Sequence, residues 1–469
     1  MLANMLCTRV LLVLMAVVAC QSADPARSID SLLAQVPKGG VAAVAMSNLT
    51  ERHWIIRRNA EPGLSLASTA KLIVSSAALL GLGENYTFST KLVGLGAIGA
   101  NGSLPGLGII GGGNPCFDEH FAPGRDPDNV FRAFAAELTR QGVLRIDGDL
   151  VIDASLFSGP IRPDTWPADQ VNQQRWFSAP ASAFAWNDNC IEVRIVPQAV
   201  GKACLIQTRP ASAKITVINQ TRSLASGAGR NAISRSLSSN TITVSGTCGQ
   251  ATAWFPLAIE SEPDLLIGDH FKGMLIAAGI PVTGTVRLGP VSVQAGPLLL
   301  HSQQPLIPAI TLFNQHSQNF YGEQILRLLG VHKRGEGSIT AGCQAATAII
   351  EEHLGTGMGP MTLLDGCGLS YGCSASATYL VNLLDGMHRH AQGINFRASL
   401  KDRPATGVRG LVKTGTHNEA RALAGYFDAP GGQQYAFAIL LNRGQSNSIA
   451  WADKLREQLY QALAAAAAR

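Results

Sequence analysis

Ser68-Thr69-Ala70-Lys71 leads into an apolar run, Leu72 to Leu80, followed by Gly81. Three residues apart on a helix, a serine and a lysine share a face, so the amine can reach the hydroxyl. The run reads as a helix with Gly81 as its stop. Backbone N–H groups and positive partial charge gather at a helix N-terminus, where a serine oxygen could attack a carbonyl. Alone, the pattern equally describes an exposed helix lysine beside a capping serine.

Two further motifs change that balance. Ser317-Gln318-Asn319 is an S-x-N triplet within Phe313–Leu329, a segment that reads as one helix. Lys413-Thr414-Gly415-Thr416 is a K-T-G triplet with a following hydroxyl, within Gly410–Thr416, which reads as a strand. Ser238-Ser239-Asn240 also fits S-x-N, but it sits in a polar, turn-like stretch and reads as solvated loop. S-x-x-K, S-x-N and K-T-G in this order are the set of penicillin-binding proteins and class A β-lactamases.

The surrounding residues carry the likeness further. Ala67-Ser68-Thr69-Ala70-Lys71-Leu72, Gly111-Gly112-Gly113-Asn114-Pro115, Ser317 to Glu323, Asp365-Gly366-Cys367-Gly368-Leu369-Ser370-Tyr371, and Leu423-Ala424-Gly425-Tyr426 after the K-T-G all fit one pattern. The chain resembles the class C low-molecular-mass penicillin-binding proteins, the serine D-alanyl-D-alanine carboxypeptidase/endopeptidase family. It departs from that pattern at Asn114, Gln318 and Cys367, where the family has Asp, Asp and Ser, and at Tyr371, where it has Arg. The resemblance implies an α+β fold: a penicillin-recognising, transpeptidase-like (β-lactamase-like) domain, an antiparallel sheet with helices, carrying two nested inserted domains. It also implies peptidoglycan stem peptides as substrates and β-lactam antibiotics as covalent inhibitors.

The residues support a compatible organisation. The chain has 469 residues, too many for one ordinary core. Strands expected at Val41–Ser47, His53–Arg57, Gly410–Thr416, Ala420–Asp428 and Tyr435–Leu441 flank helices at Gly342–His353 and Ala375–Ala391, and an Ala-rich helix closes the chain over Ser448–Arg469. Some 250 residues separate Ser68 from Ser317, far more than a loop needs. Inside them lies a weak repeat: helix Val130–Arg140 leading to Ile146-Asp147-Gly148-Asp149-Leu150, and helix Asp269–Ala278 leading to Val282-Thr283-Gly284-Thr285-Val286. One domain interrupted by a strand-rich one accounts for this. The expected division is a leader, 1–20; a catalytic domain, 28–91 and 291–469; an inserted domain, 92–162 and 273–290; and a nested β-rich domain, 163–272.

Charged residues make up only 15% of the chain, and the net charge of +5 is spread along it with no basic block of the kind that tracks nucleic acid. Arg9 and the apolar run Val10 to Ala19 read as an export signal, too short to span a membrane. Val17-Val18-Ala19-Cys20 is either a lipobox, with Cys20 lipidated, or an ordinary cleavage site after Ala19. The chain is thus expected outside the cytoplasm, in the periplasm, free or lipid-anchored. Seven cysteines follow Cys20, with Cys190 and Cys204 flanking a hairpin as the first candidate pair. No C-x-x-C pair and no histidine spacing indicates a metal site.

The chemistry read from these residues is acyl transfer through a serine ester, with no metal or organic cofactor needed. Ser68 is the nucleophile and Lys71 its base. A free amine titrates near ~10.4, so burial and a positive Lys413 are invoked to favour its neutral form. Ser317 relays the proton to the leaving amine. Asn319 holds Lys71 and the substrate amide. Lys413, Thr414, Gly415 and Thr416 form the strand that binds the terminal carboxylate. By resemblance, the backbone N–H groups of Ser68 and Thr416 form the oxyanion hole. Asp169, in Trp166-Pro167-Ala168-Asp169, is a candidate partner for the amine of a diamino third stem residue; the alternative is a solvated loop aspartate. The other readings are a β-lactamase-like hydrolase and a non-catalytic penicillin- or wall-binding protein.

Overall fold

The computed structural model describes residues 25–171 and 174–469; the leader and Cys20 lie outside the described residues.

The first strand, Val41–Asn48, shows how the sheet is built. Ala43 and Ala45 face one layer and Val44 and Met46 the other, the two-residue period of a strand. Its whole length pairs with Gln434–Asn442, Val41 opposite Asn442, so the two ends of the chain close one sheet. That antiparallel sheet runs Lys401–Asp402, Arg409–His417, Ala420–Asp428, Gln434–Asn442, Val41–Asn48, His53–Arg58. Helices Pro25–Leu33 and Trp451–Ala467 cover one face through Ile29, Leu455, Leu459 and Tyr460. The other face carries Ala70–Gly81, Leu306–His316, Asn319–Arg334, Ile339–Leu354 and Ala377–Arg389. Two of these begin at serine caps: Ser338 accepts from the Ala341 N–H and Ser376 from the Tyr379 N–H.

Two helix expectations are corrected. Phe313–Leu329 is not continuous; it breaks at Ser317, which adopts a left-handed conformation (φ 60, ψ 35) between Leu306–His316 and Asn319–Arg334. Gly81 does not stop its helix but is its last residue, kept small because a Cβ there would lie 2.6 Å from Ile349.

The inserted region opens with Thr87–Gly94 and closes with Leu298–Pro305, which pair with each other. They belong to a five-stranded sheet ordered Val286–Leu288, Leu150–Asp153, Leu107–Ile110, Thr87–Gly94, Leu298–Pro305. The two repeat halves lie side by side in it. Ile146 bridges Val282, and Leu150–Asp153 runs parallel to Val286–Leu288. Helices Asn129–Arg140 and Pro263–Ala277 meet through Phe131 and Phe271, ring centroids 4.8 Å apart. The repeated glycine has a steric reason: a Cβ on Gly284 would lie 2.3 Å from the Gly148 carbonyl. Strand pairing also moves the expected boundaries. A cut at 91/92 bisects Thr87–Gly94, and one at 290/291 leaves Leu298–Pro305 in the wrong sheet. A cut at 272/273 splits a helix that starts at Pro263, not Asp269, since proline is tolerated in a first helical turn.

Within the nested stretch, Cys190–Val196, Leu205–Arg209 and Phe255–Ala258 form one sheet, and Thr216–Ser223, Asn231–Ser234 and Thr241–Cys248 another. The hairpin register places Leu205 opposite Val196. Cys190 therefore lies seven residues along the strand from the position facing Cys204, about 23 Å at 3.3 Å per residue, far beyond disulfide reach. All seven described cysteines are free thiols.

Candidate active site

Ser68 lies in a short 3-10 turn, Ala67–Thr69, directly before helix Ala70–Gly81. Helical geometry puts Lys71 one turn on. Its side chain is fully buried, and Nζ donates to Ser68 Oγ at 2.9 Å, Asn319 Oδ1 at 2.8 Å and the Cys367 carbonyl at 2.7 Å. Burial pushes the Lys71 amine below the usual lysine range, opposed by Cys367, Asp365, Glu323 and Cys373. A neutral amine has two N–H donors and one lone pair. With Asn319 and Cys367 taking the donors, the lone pair faces the Ser68 hydroxyl, which then donates to it.

Lys413 faces this pair from strand Arg409–His417, donating to Ser317 Oγ and to the Thr414 carbonyl, each at 2.9 Å. The left-handed turn at Ser317 aims its hydroxyl at that amine. Burial, and then the charge of Lys71, push Lys413 well below the usual lysine range. Burial supplies the first downward push on Lys71, as expected, and the two facing amines disfavour each other's charge. A nearby carboxylate would oppose that depression. Gly415 is glycine because the strand presses on the turn that carries Ser68: a Cβ there would lie 2.7 Å from the Leu66 carbonyl and 3.1 Å from Ser68 N. Thr416 is exposed, and Thr414 half-buried.

Asn319 meets its expectation in part. It accepts from Lys71, but one of its N–H groups goes to the Phe177 carbonyl at 2.8 Å, leaving one for a substrate. Asp169 accepts from the Tyr371 hydroxyl at 2.9 Å and from the Asn418 side chain, so it sits past the far end of the Lys413 strand. Ser238 and Asn240 belong elsewhere. The Ser238 N–H donates to Glu260, and Asn240, buried rather than solvated, donates to the Ser261 carbonyl.

The structure adds Arg456 and His417, which sequence reading missed, and gives Glu323 the supporting place expected of it on the helix that follows Ser317. Arg456 of the final helix donates to the Gly415 carbonyl at 3.1 Å and to Thr416 Oγ1 at 3.3 Å. An arginine in an Ala-rich helix gives no sequence signal of this. Glu323 is buried behind the Lys71 site, accepts the Gly366 N–H at 2.9 Å, and is pushed up to about 8 by burial and by Asp365. His417, after Thr416, is pushed down to about 4 by burial.

Among the described residues, one group is close enough to hold a metal: Glu323, Asp365 and Cys367, with ligand atoms within 4.8 Å of one another. Asp365 Oδ1 accepts from the Cys367 and Gly368 N–H groups and Oδ2 from the Ser370 N–H and Trp166 Nε1. Its lone pairs are spent on the protein, so the group reads as an anchor for the 365–370 loop.

Residues 26–465 match the D-Ala-D-Ala carboxypeptidase 3 (S13) family. The chain is 29% identical over 438 residues to the D-alanyl-D-alanine carboxypeptidase of Actinomadura sp. (strain R39), covering 87% of this chain and 79% of that protein. It is 24% identical over 438 residues to the D-alanyl-D-alanine carboxypeptidase DacB of Haemophilus influenzae, covering 88% of each. The crystal structure of penicillin binding protein 4 from Haemophilus influenzae superposes with a TM-score of 0.75 at 22% identity, over 93% of this chain and 99% of the other. At that identity the likeness is one of fold.

Proposed function

The chain belongs to the D-Ala-D-Ala carboxypeptidase 3 (S13) family, and from that premise we propose that it cleaves the D-Ala-D-Ala end, or the D-centred crosslink, of peptidoglycan stem peptides through an acyl-enzyme on Ser68. The observation that carries this is the 2.9 Å contact between Lys71 Nζ and Ser68 Oγ, with Ser317 and Lys413 hydrogen-bonded beside it.

In this reading Lys71, neutral, takes the proton of Ser68 as Oγ attacks the penultimate carbonyl. The backbone N–H groups of Ser68 and Thr416 receive the oxyanion; one such donor is typically worth ~100- to 1000-fold in rate. The C–N bond breaks, Ser317 passes a proton to the leaving amine, and an ester remains on Ser68. Water then attacks the ester, which releases the shortened peptide and restores the hydroxyl. A β-lactam enters by the same attack, its amide ring opening onto Ser68. The substrate lies in the cell wall, so the reading requires export. Among the described residues no helix is long and apolar enough to cross a membrane.

The test follows labelled penicillin and D-Ala together. Slow release of penicilloyl enzyme with D-Ala liberation from a stem pentapeptide is the expected result. Fast penicillin turnover would instead indicate a β-lactamase-like hydrolase, and neither activity a binding protein. Glu323 gives the lactamase reading no support, because its carboxyl is buried behind the loop.

Lys413 acts in this scheme through its charge on the substrate carboxylate. Lys413→Ala is expected to lower acylation by a free-carboxylate substrate by roughly 10- to 100-fold, the ~1.5–3 kcal/mol of a charged hydrogen bond. A C-terminally amidated substrate should lose much less. Equal losses on both would give Lys413 another role.

Asp169 is proposed to pair with the amine of a diamino third residue, supported by its place beyond Thr416, held by Tyr371 and Asn418. Asp169→Asn should lower hydrolysis of the amine-bearing peptide relative to one lacking the amine by roughly 5-fold, since exposed pairs reach ~1 kcal/mol. An unchanged ratio would remove Asp169 from the specificity site.

A further inference from the structure

Lys71 has two partners besides Ser68, and a segment of the nested insertion holds both. The first partner is the Cys367 carbonyl. Its loop is folded around Asp365, fully buried, whose oxygens accept the N–H groups of Cys367 at 3.1 Å, Gly368 at 2.6 Å and Ser370 at 2.6 Å. Two further donors come from outside the loop: Trp166 Nε1 at 3.0 Å, and the weaker Cys373 thiol at 3.4 Å. Next to Trp166, the Thr165 and Ser370 hydroxyls are 2.6 Å apart. The Trp166 ring is buried against Cys367 and Leu369. The second partner is Asn319, whose amide is fixed by the Phe177 carbonyl at 2.8 Å. Trp166 and Phe177 thus grip the acceptors of Lys71 from two sides, and Phe177 packs on the same cluster as Trp166.

We propose that Trp166 and Asp365 are positioning residues that couple docking of the inserted segment to the orientation of Lys71. The inserted segment would then be part of what makes acylation possible, whatever it contributes to substrate binding. The proposal rests on the reading of Lys71 as the base of Ser68.

Two mechanisms operate together. The Trp166 and loop N–H groups hold the carboxylate, so the Cys367 carbonyl stays aimed at Lys71 Nζ. The carboxylate charge also favours the ammonium form of Lys71, as do Cys367, Glu323 and Cys373; burial opposes them, and Lys413 is the facing cation. Removing the Asp365 charge should therefore ease deprotonation of Lys71 even as it loosens the loop.

The experiment uses the full chain and the pH profile of acylation by a fluorescent penicillin, separating pre-covalent binding from the acylation step. Trp166→Phe keeps an aromatic ring, smaller than the indole, and removes the N–H donor. Its acylation rate at saturation should fall about 10- to 100-fold, the scale of a misplacement near 1 Å, with pre-covalent binding unchanged. Asp365→Asn should lower the plateau and move the acid limb to lower pH by about one unit, the effect of losing a nearby charge. Full acylation in Trp166→Phe, or an acid limb unmoved in folded Asp365→Asn, would overturn the coupling. If Asp365→Asn does not fold, the Trp166→Phe rate decides. Lys71→Met separates the premise: if it still acylates, the base reading fails; if it is inactive while both variants behave as wild type, only the coupling fails.

Discussion

Ser68→Ala is expected to abolish both D-Ala release and covalent penicillin labelling, a loss of about 10^4- to 10^6-fold, the scale for removing an enzyme's nucleophile. The side chain is half-buried and in contact with Lys71, and no other hydroxyl lies at the start of helix Ala70–Gly81 in the same relation to that amine. The fold should survive, because the change removes one hydrogen bond, worth about 1 kcal/mol. Gel fluorescence with a labelled penicillin and a melting curve of the same sample give the answer. Labelling that persists in a folded variant would sink the assignment.

Lys71→Met should cost about 10^2- to 10^4-fold in acylation, the usual contribution of a general base. Methionine keeps the packing volume but leaves the Asn319 and Cys367 acceptors without their donor. The wild-type pH profile should carry the same signature. The active form is the neutral amine, so acylation falls as pH drops through the Lys71 pKa. Burial lowers that pKa, so the plateau should extend to lower pH than a free amine near ~10.4 would allow. The same depression sets a stability sign: the contribution of Lys71 is fully present above the unfolded-state value and declines as pH falls toward the folded one. An acylation rate in Lys71→Met close to wild type, or a wild-type profile without an acid limb, would remove Lys71 from the base role.

The glycine repeat illustrates what sequence can carry. Gly148 and Gly284 sit at matching points of two short strand patterns, and each is crowded by backbone: a Cβ on Gly148 would lie 2.0 Å from the Pro105 carbonyl, and one on Gly284 2.3 Å from the Gly148 carbonyl. The break at Ser317 illustrates the opposite. Phe313–Leu329 keeps helical apolar spacing throughout, so periodicity alone runs one helix through it. Tertiary contact with Lys413 accompanies a left-handed serine there. The Cys190–Cys204 pairing failed for a related reason. Flanking a hairpin in sequence says nothing of register, and register puts one thiol near the turn and the other near the open end.

By itself, then, the sequence determined the order of the three motifs, the helix that carries Lys71 just after Ser68, the strand carrying Lys413, and the strands near both chain ends. These depend on residue type and short spacing, which local periodicity records. Only the tertiary structure decided which groups surround Lys71. Asn319, Cys367, Asp365, Trp166 and Phe177 come from segments far apart in the chain, and a backbone carbonyl such as those of Cys367 and Phe177 leaves no mark in residue identity. Burial, which pushes both lysines toward the neutral form, is a property of the assembled layers and not of any one segment.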